Sequence, residues 1–301
     1  MIVGATASGK SVLAMELARR RPGVELVSMD SMALYRGMDV GTTAPTAAER
    51  AEVPHHLVDL VDPTEDFTVS EFQVAARRAL DDMEGRGARA VLVGGTGLHV
   101  RAVVDDLEIP GRYDEVRAAL DADDDTPGLH TRLAGLDPVA AGRMEPTNRR
   151  RVVRALEVTL GSGRPFSSFG PGLEAYPATP FTQVGLRVDR EVLDRRIADR
   201  YRHQLEDGFL DEVRWLAALD GGPSRSAAQA LGYSELLAHL RGECTLADAI
   251  ADAVAATRRF ARRQERWFRR DPRIEWFDVG ADPLKVLEAV LERFDRCGDP
   301  G

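Results

Sequence analysis

The sequence predicts an α/β fold, a parallel sheet flanked by helices and interrupted by a mostly helical insertion domain. Three observations carry that expectation. Short β-rich runs alternate with helical patterns through the first hundred residues, a glycine-rich turn opens the first helix, and residues 111–180 hold polar helical segments with no strand between them.

The first element is cut short: only Met1, Ile2 and Val3 precede Gly4, whereas a strand usually runs to about five residues. The sequence therefore suggests that a few residues are missing from the start, which an intact mass of the native protein would settle. "GATASGKS", residues 4–11, follows. Its glycines at 4 and 9, with Lys10 and Ser11 after them, have the spacing of a phosphate-binding P-loop, so the sheet is expected to be P-loop NTPase-like. Backbone N–H groups and the positive end of the next helix suit an anion there, Lys10 reaches an outer phosphate, and the Ser11 hydroxyl can ligate Mg²⁺. Lys10 and Lys285 are the two lysines in a chain that uses arginine everywhere else. Next come a strand "VELVS" (24–28), a helix around 70–84, a strand "AVLVGG" (90–95) and a helix from about 97. After the insertion, "FTQVGLRV" (181–188) resumes the core, three long helical segments run to about 270, and "IEWFDV" adds a late strand. The expected domains are a core of 1–110 and 181–301 and an insertion of 111–180.

The 301 residues carry a net charge of −9, so contact with a polyanion must come from local clusters. Two cysteines far apart, Cys244 and Cys297, argue against a disulfide framework or a zinc site. No apolar run approaches the roughly 18 residues of a membrane span, and no secretory signal opens the chain. The sequence reads as a soluble, cytoplasmic monomer without membrane partners.

In a parallel sheet, ligands bind beyond the carboxyl ends of the strands. The strand ending near Ser28 would deliver "MDSMALYRGMDVGT" to the rim that holds the phosphate loop, with Asp30 as its first ionisable group. Asp30 is a candidate base beside the phosphates; a turn or helix cap is its bland alternative, and Asp39 reads as a turn residue. The "GGTG" turn gives close backbone approach at Gly94, Gly95 and Gly97 and turns the Thr96 hydroxyl to the cleft. His55 and His56 invite a metal reading, but neighbours in an extended run point to opposite faces, so local packing is preferred. "TRRFARRQERWFRRD" sets Arg258, Arg259, Arg262, Arg263, Arg266, Arg269 and Arg270 at helical spacings with Phe260, Trp267 and Phe268 among them. Arg149, Arg150, Arg151 and Arg154 form a second patch. In an acidic chain these stripes suit an RNA backbone, with a solvated arginine face as the alternative.

Taken in order, "GATASGKS", "DSMALYRGMDVGT", "PHHLVDLVDP", "LVGGTGLHV", "RALEV", "ALGY" and "TRRFARRQERWFR" resemble the tRNA dimethylallyltransferase family over essentially the whole chain. The resemblance implies that Gly4, Ala5, Thr6, Ala7, Ser8, Gly9, Lys10 and Ser11 hold the diphosphate of dimethylallyl diphosphate rather than ATP, with Mg²⁺ on Ser11. It implies that Asp30 deprotonates the exocyclic amine of the adenosine 3′-adjacent to the anticodon, with Lys10 and Thr96 also catalytic. It places Asp30, Ser31, Met32, Ala33, Thr96, Arg117, Arg150, Arg151, Gln229, Gly232, Tyr233, Arg262, Arg263, Gln264, Trp267 and Arg269 against the tRNA anticodon stem-loop. Three positions depart from the family's pattern: Ala33 stands where Gln is common, Gln229 where relatives can have Arg, and Arg266 where Thr is common. A nucleotide kinase, an isopentenyltransferase acting on free adenylates and a non-catalytic RNA binder are the alternatives.

Overall fold

The computed structural model describes residues 1–297; the remaining residues of the expected core segment, 298–301, lie outside it. One sheet contains β1 (Ile2–Gly4), β2 (Val24–Ser28), β3 (His55–His56), β4 (Arg89–Gly94), β5 (Gln183–Arg187) and β6 (Ile274–Asp278), in the order β3-β2-β4-β1-β5-β6. Every pairing is parallel, and β1 lies between β4 and β5 with Val3 opposite Gly94 on one side and Gly185 on the other. Strands covered on both faces read as apolar runs, which is why "VELVS" and "AVLVGG" are legible in the sequence.

The helices, in chain order, are α1 (Lys10–Arg20), α2 (Ala47–Glu52), α3 (Val69–Gly85), α4 (Gly97–Val104), α5 (Asp114–Asp121), α6 (Thr126–Leu136), α7 (Pro138–Gly142) and α8 (Arg149–Ser162). After β5 come α9 (Arg190–Glu206), α10 (Phe209–Ala217), α11 (Arg225–Ala228), α12 (Tyr233–Leu240) and α13 (Leu246–Phe268), and α14 (Leu287–Arg296) follows β6. Local chemistry sets several of their ends. Thr68 accepts from the Glu71 N–H while Glu71 reaches back to the Thr68 N–H, a reciprocal cap worth about 0.5–2 kcal/mol. Where the sequence suggests three long helical segments before residue 270, the chain makes five helices. Gly208 (φ 94°) and Gly232 (φ 86°), both in the left-handed region, turn it sharply between them.

Two compact units emerge, one of Met1–Val104 with Ala178 onward and one of Asp105–Pro177. In the first unit each face of the sheet has its own core. One gathers Val3, Val27, Met29 and Leu92 with Phe72 of α3, Val100 of α4 and Ala261 and Phe268 of α13. The other gathers Ile2, Leu26, Val91 and Val184 with Leu13 and Leu17 of α1 and Leu287, Val290 and Leu291 of α14. Each such large side chain contributes about 1.5–3 kcal/mol on burial. The second unit is helical, with Leu120, Leu129, Leu133, Val152, Val153 and Leu156 in its own core. Asp137 caps α7 through the Ala140 N–H, and the buried Glu157 accepts from the Tyr113 N–H and from Arg154.

Candidate active site

β1 and α1 present the glycine loop. Gly4 has φ 152° and a Cβ there would lie 2.9 Å from the Leu186 carbonyl; Gly9, at φ 92°, would press a Cβ to 2.6 Å from Pro283. Both positions therefore exclude side chains. The N–H groups of Ala7, Gly9, Lys10 and Ser11 have no acceptor among the described residues, so a nest of donors sits at the start of α1. The nest is smaller than the motif suggests, because two of its donors are engaged. The Thr6 N–H is held by Gln264 Oε1 at 2.8 Å and the Ser8 N–H by the Ala5 carbonyl at 3.3 Å, and the Ser8 side chain is buried. Lys10 folds over the loop, its Nζ donating to the Ala5 carbonyl at 2.6 Å. Ser11 is exposed in the first turn of α1.

β2 and β4 bring the second half of the site to the same rim. Asp30 Oδ1 accepts from the Met32 N–H at 2.8 Å, so the residue does close the turn that is its bland alternative, yet Asp30 remains partly exposed. Thr96 ties the two strand ends together: its N–H donates to the Met29 carbonyl at 3.4 Å and its hydroxyl accepts from the Ser31 N–H at 3.3 Å. Electrostatics join both halves. Burial lowers the Lys10 ammonium to about 8, opposed by the Asp30 charge and reinforced by Arg200. Burial likewise lowers Arg200 below its ordinary value, again opposed by Asp30 among the nearby groups. A carboxylate thus lies within electrostatic reach of two cations at the mouth of an anion nest.

The sequence does not single out Arg200, nor Arg196, one turn earlier on α9. Arg200 donates to the Thr6 hydroxyl at 2.7 Å and to the Thr43 hydroxyl at 3.3 Å. Arg196 donates to the Ala7 carbonyl at 3.2 Å and the Ala281 carbonyl at 2.7 Å, joining the phosphate loop to the loop after β6. The residues around Thr43 are held from beneath. Glu212 accepts from the N–H groups of Asp39, Val40 and Gly41 at 2.7–3.0 Å, and Gln204 donates to the carbonyls of Val40 and Gly41. The i, i+4 spacing of Arg196 and Arg200 is the available signal, but arginine pairs at that spacing are common in this chain.

The residues expected to contact RNA differ widely in their surroundings. Tyr233 is fully buried and donates to Glu212 Oε1 at 2.5 Å, and Gly232 packs beneath Phe209 and Tyr201, so this part of "ALGY" supports the 39–41 loop from inside. Ala33 is buried, its carbonyl accepting from the Asp59 N–H. Gln264 is buried between the two glycine turns, accepting from Thr6 and donating to the Gly95 carbonyl at 2.9 Å. Trp267 lies against Gly97, where a Cβ would fall 2.2 Å from its Nε1. Ser31, Met32 and Arg262 are partly exposed, and Gln229, Arg263 and Arg269 are exposed, Arg269 in an ion pair with Glu265. In the second unit Arg150 and Arg151 are exposed, whereas Arg149 binds carbonyls at the end of α5 and Arg154 pairs with Glu157. Arg117 is engaged by Asp121 and Glu157. His55 and His56 bond to the Val53 carbonyl and to Glu25.

Comparison with known proteins gives a consistent result. The model of the IPP transferase family matches residues 33–271. A tRNA dimethylallyltransferase of Streptomyces coelicolor is 48% identical over 299 residues, covering 98% of this chain and 95% of the relative. That of Kocuria rhizophila is 50% identical over 285 residues, covering 94% and 89%. The crystal structure of the full-length tRNA isopentenylpyrophosphate transferase from Bacillus halodurans superposes with a TM-score of 0.71 at 36% identity, covering 98% of this chain and 95% of that one.

Proposed function

The chain belongs to the IPP transferase family, and from that premise we propose how its site performs the transfer of a dimethylallyl group to tRNA. The relatives' shared activity sets aside the nucleotide-kinase reading of the phosphate loop. The donor is dimethylallyl diphosphate, with its diphosphate in the nest of Ala7, Gly9, Lys10 and Ser11 and beside Arg200. The acceptor is the exocyclic N6 amine of the adenosine 3′-adjacent to the anticodon. Its lone pair forms the new N–C bond as the C–O bond breaks. The bonding electrons leave with diphosphate, and the amine proton passes to the Asp30 carboxylate.

The observation that carries this reading is geometric: with β1 beside β4 and β4 beside β2, the phosphate loop and the Asp30 turn share one rim, and the Thr96 hydroxyl at the end of β4 accepts from the Ser31 N–H next to Asp30. A carboxylate on the same rim as an anion-binding loop can serve a bound Mg²⁺, as in P-loop NTPases, or take a proton. A reaction that expels diphosphate while an amine loses a proton needs both the loop and the carboxylate. Ser11 is exposed in the first turn of α1 beside the nest, where its hydroxyl, a hard oxygen donor, would hold Mg²⁺. A cation sharing one hydroxyl with substrate oxygens and water is ordinary Mg²⁺ coordination, and when bound it would neutralise charge on the departing diphosphate. The exposed arginines of α13 and the pair Arg150 and Arg151 supply the grip on RNA phosphates, and the target base must leave the anticodon-loop stack to reach Asp30. No described helix is long and apolar enough to cross a membrane. A cytoplasmic monomer acting on free tRNA is the setting we propose.

Incubating the protein with Mg²⁺, unmodified tRNA and dimethylallyl diphosphate, then digesting the tRNA and weighing its nucleosides, tests the reading. An adenosine heavier by one dimethylallyl group, mapped next to the anticodon, is expected. An unchanged nucleoside profile, or the group attached elsewhere, would contradict it.

A further inference from the structure

We propose that Gln264 is a positioning residue for the transfer reaction, fastening the phosphate loop to the turn that carries Thr96 and tying both to the arginine-lined helix. Its position between Arg263 and Glu265 in a basic segment suggests an RNA contact, but the side chain points inward and is 7% exposed. Its Oε1 accepts from the Thr6 N–H at 2.8 Å and its Nε2 donates to the Gly95 carbonyl at 2.9 Å. One planar amide therefore spans the ends of two adjacent strands, β1 and β4.

Each end of the bridge sets something the reaction needs. Holding the Thr6 N–H orients that peptide away from the anion nest and fixes the residue whose hydroxyl accepts from Arg200 at 2.7 Å. Holding the Gly95 carbonyl fixes the peptide leading into Thr96, whose hydroxyl accepts from the Ser31 N–H next to Asp30. The turn is shaped to admit the amide: a Cβ at Gly95 would lie 2.3 Å from Gln264 Nε2. One turn along α13, Trp267 occupies the space over Gly97 in the same way, so two side chains of one helix face seat on the "GGTG" turn. The neighbouring Arg263 and Arg266 are exposed. A small displacement of either bridge end would misalign the leaving group against the base, and errors of about 1 Å can cost on the order of a hundredfold in rate.

This inference rests on the proposed site, and inorganic pyrophosphate binding makes its failure distinguishable from failure of that reading. Gln264→Leu keeps a similar volume but neither donates nor accepts; Gln264→Glu keeps the acceptor for the Thr6 N–H and loses the donor to the Gly95 carbonyl. Both variants, checked by thermal melting, should bind Mg²⁺-pyrophosphate more weakly and show a raised KM for dimethylallyl diphosphate with a lowered kcat, each on the order of tenfold. Their tRNA affinity and its salt dependence should stay within about twofold of the parent's. If Gln264→Leu does not fold, Gln264→Glu decides alone. Loss of tRNA affinity with pyrophosphate binding intact would make Gln264 an RNA contact and overturn the proposal, as would variants that match the parent throughout. A parent protein that binds pyrophosphate but transfers no dimethylallyl group would instead contradict the functional reading.

Discussion

Lys10 shows how much one residue's surroundings add to its motif. The sequence places a lysine after the loop glycine, but its titration depends on packing: burial brings the ammonium down to about 8. Only the charged form attracts a diphosphate. Affinity of the free protein for pyrophosphate should therefore be full below pH 8 and fall as pH rises through about 8. A bound diphosphate favours the ammonium, so the midpoint at saturating ligand should lie higher. Titrating pyrophosphate affinity against pH checks this, and a flat profile between pH 7 and 9 would contradict it. Lys10 and the strand-end Asp30 can be found in the sequence because a glycine frame and a strand terminus mark them. Arg196 and Arg200 cannot, because their role depends on which face of α9 meets the phosphate loop, and one arginine pair among many carries no mark of that.

At the scale of the element, α13 divides its labour by face. Thr257, Ala261, Gln264 and Phe268 are buried, while Arg259, Arg263 and Arg266 are exposed. The period of this stripe is visible in the sequence. The inward polar side chain is not, because glutamine is equally at home on a wet surface and its burial depends on a partner loop elsewhere in the chain. Tyr233 illustrates the same limit: the resemblance implies an RNA contact there, but the side chain is buried and its hydroxyl donates to Glu212, which holds the 39–41 loop. The outer face carries a separate prediction. Replacing Arg263 and Arg266 by glutamine should weaken tRNA binding and flatten its log–log salt dependence by about 0.7–0.9 for each phosphate no longer neutralised, leaving pyrophosphate affinity unchanged. Salt titrations of tRNA binding by parent and variant would measure it, and equal slopes would remove this face from the interface.

Across the whole molecule, the sheet order does what no single motif can. With β1 beside β4 and β4 beside β2, the ends of three strands separated by up to ninety residues meet at one rim, bringing the phosphate loop, Asp30 and Thr96 together. The alternation of strand and helix makes that architecture legible. It leaves unmarked the breaks at Gly208 and Gly232, where glycine's backbone freedom overrides an otherwise helical pattern. The central claim is that a base and a leaving-group cradle share this rim, while RNA is gripped elsewhere. Single-turnover transfer by Asp30→Asn, measured beside its tRNA affinity, tests it most directly. The variant's rate should be lower by about 10²–10⁴, with tRNA affinity within about twofold of the parent's. An unchanged rate, or a loss explained entirely by weaker tRNA binding, would contradict it.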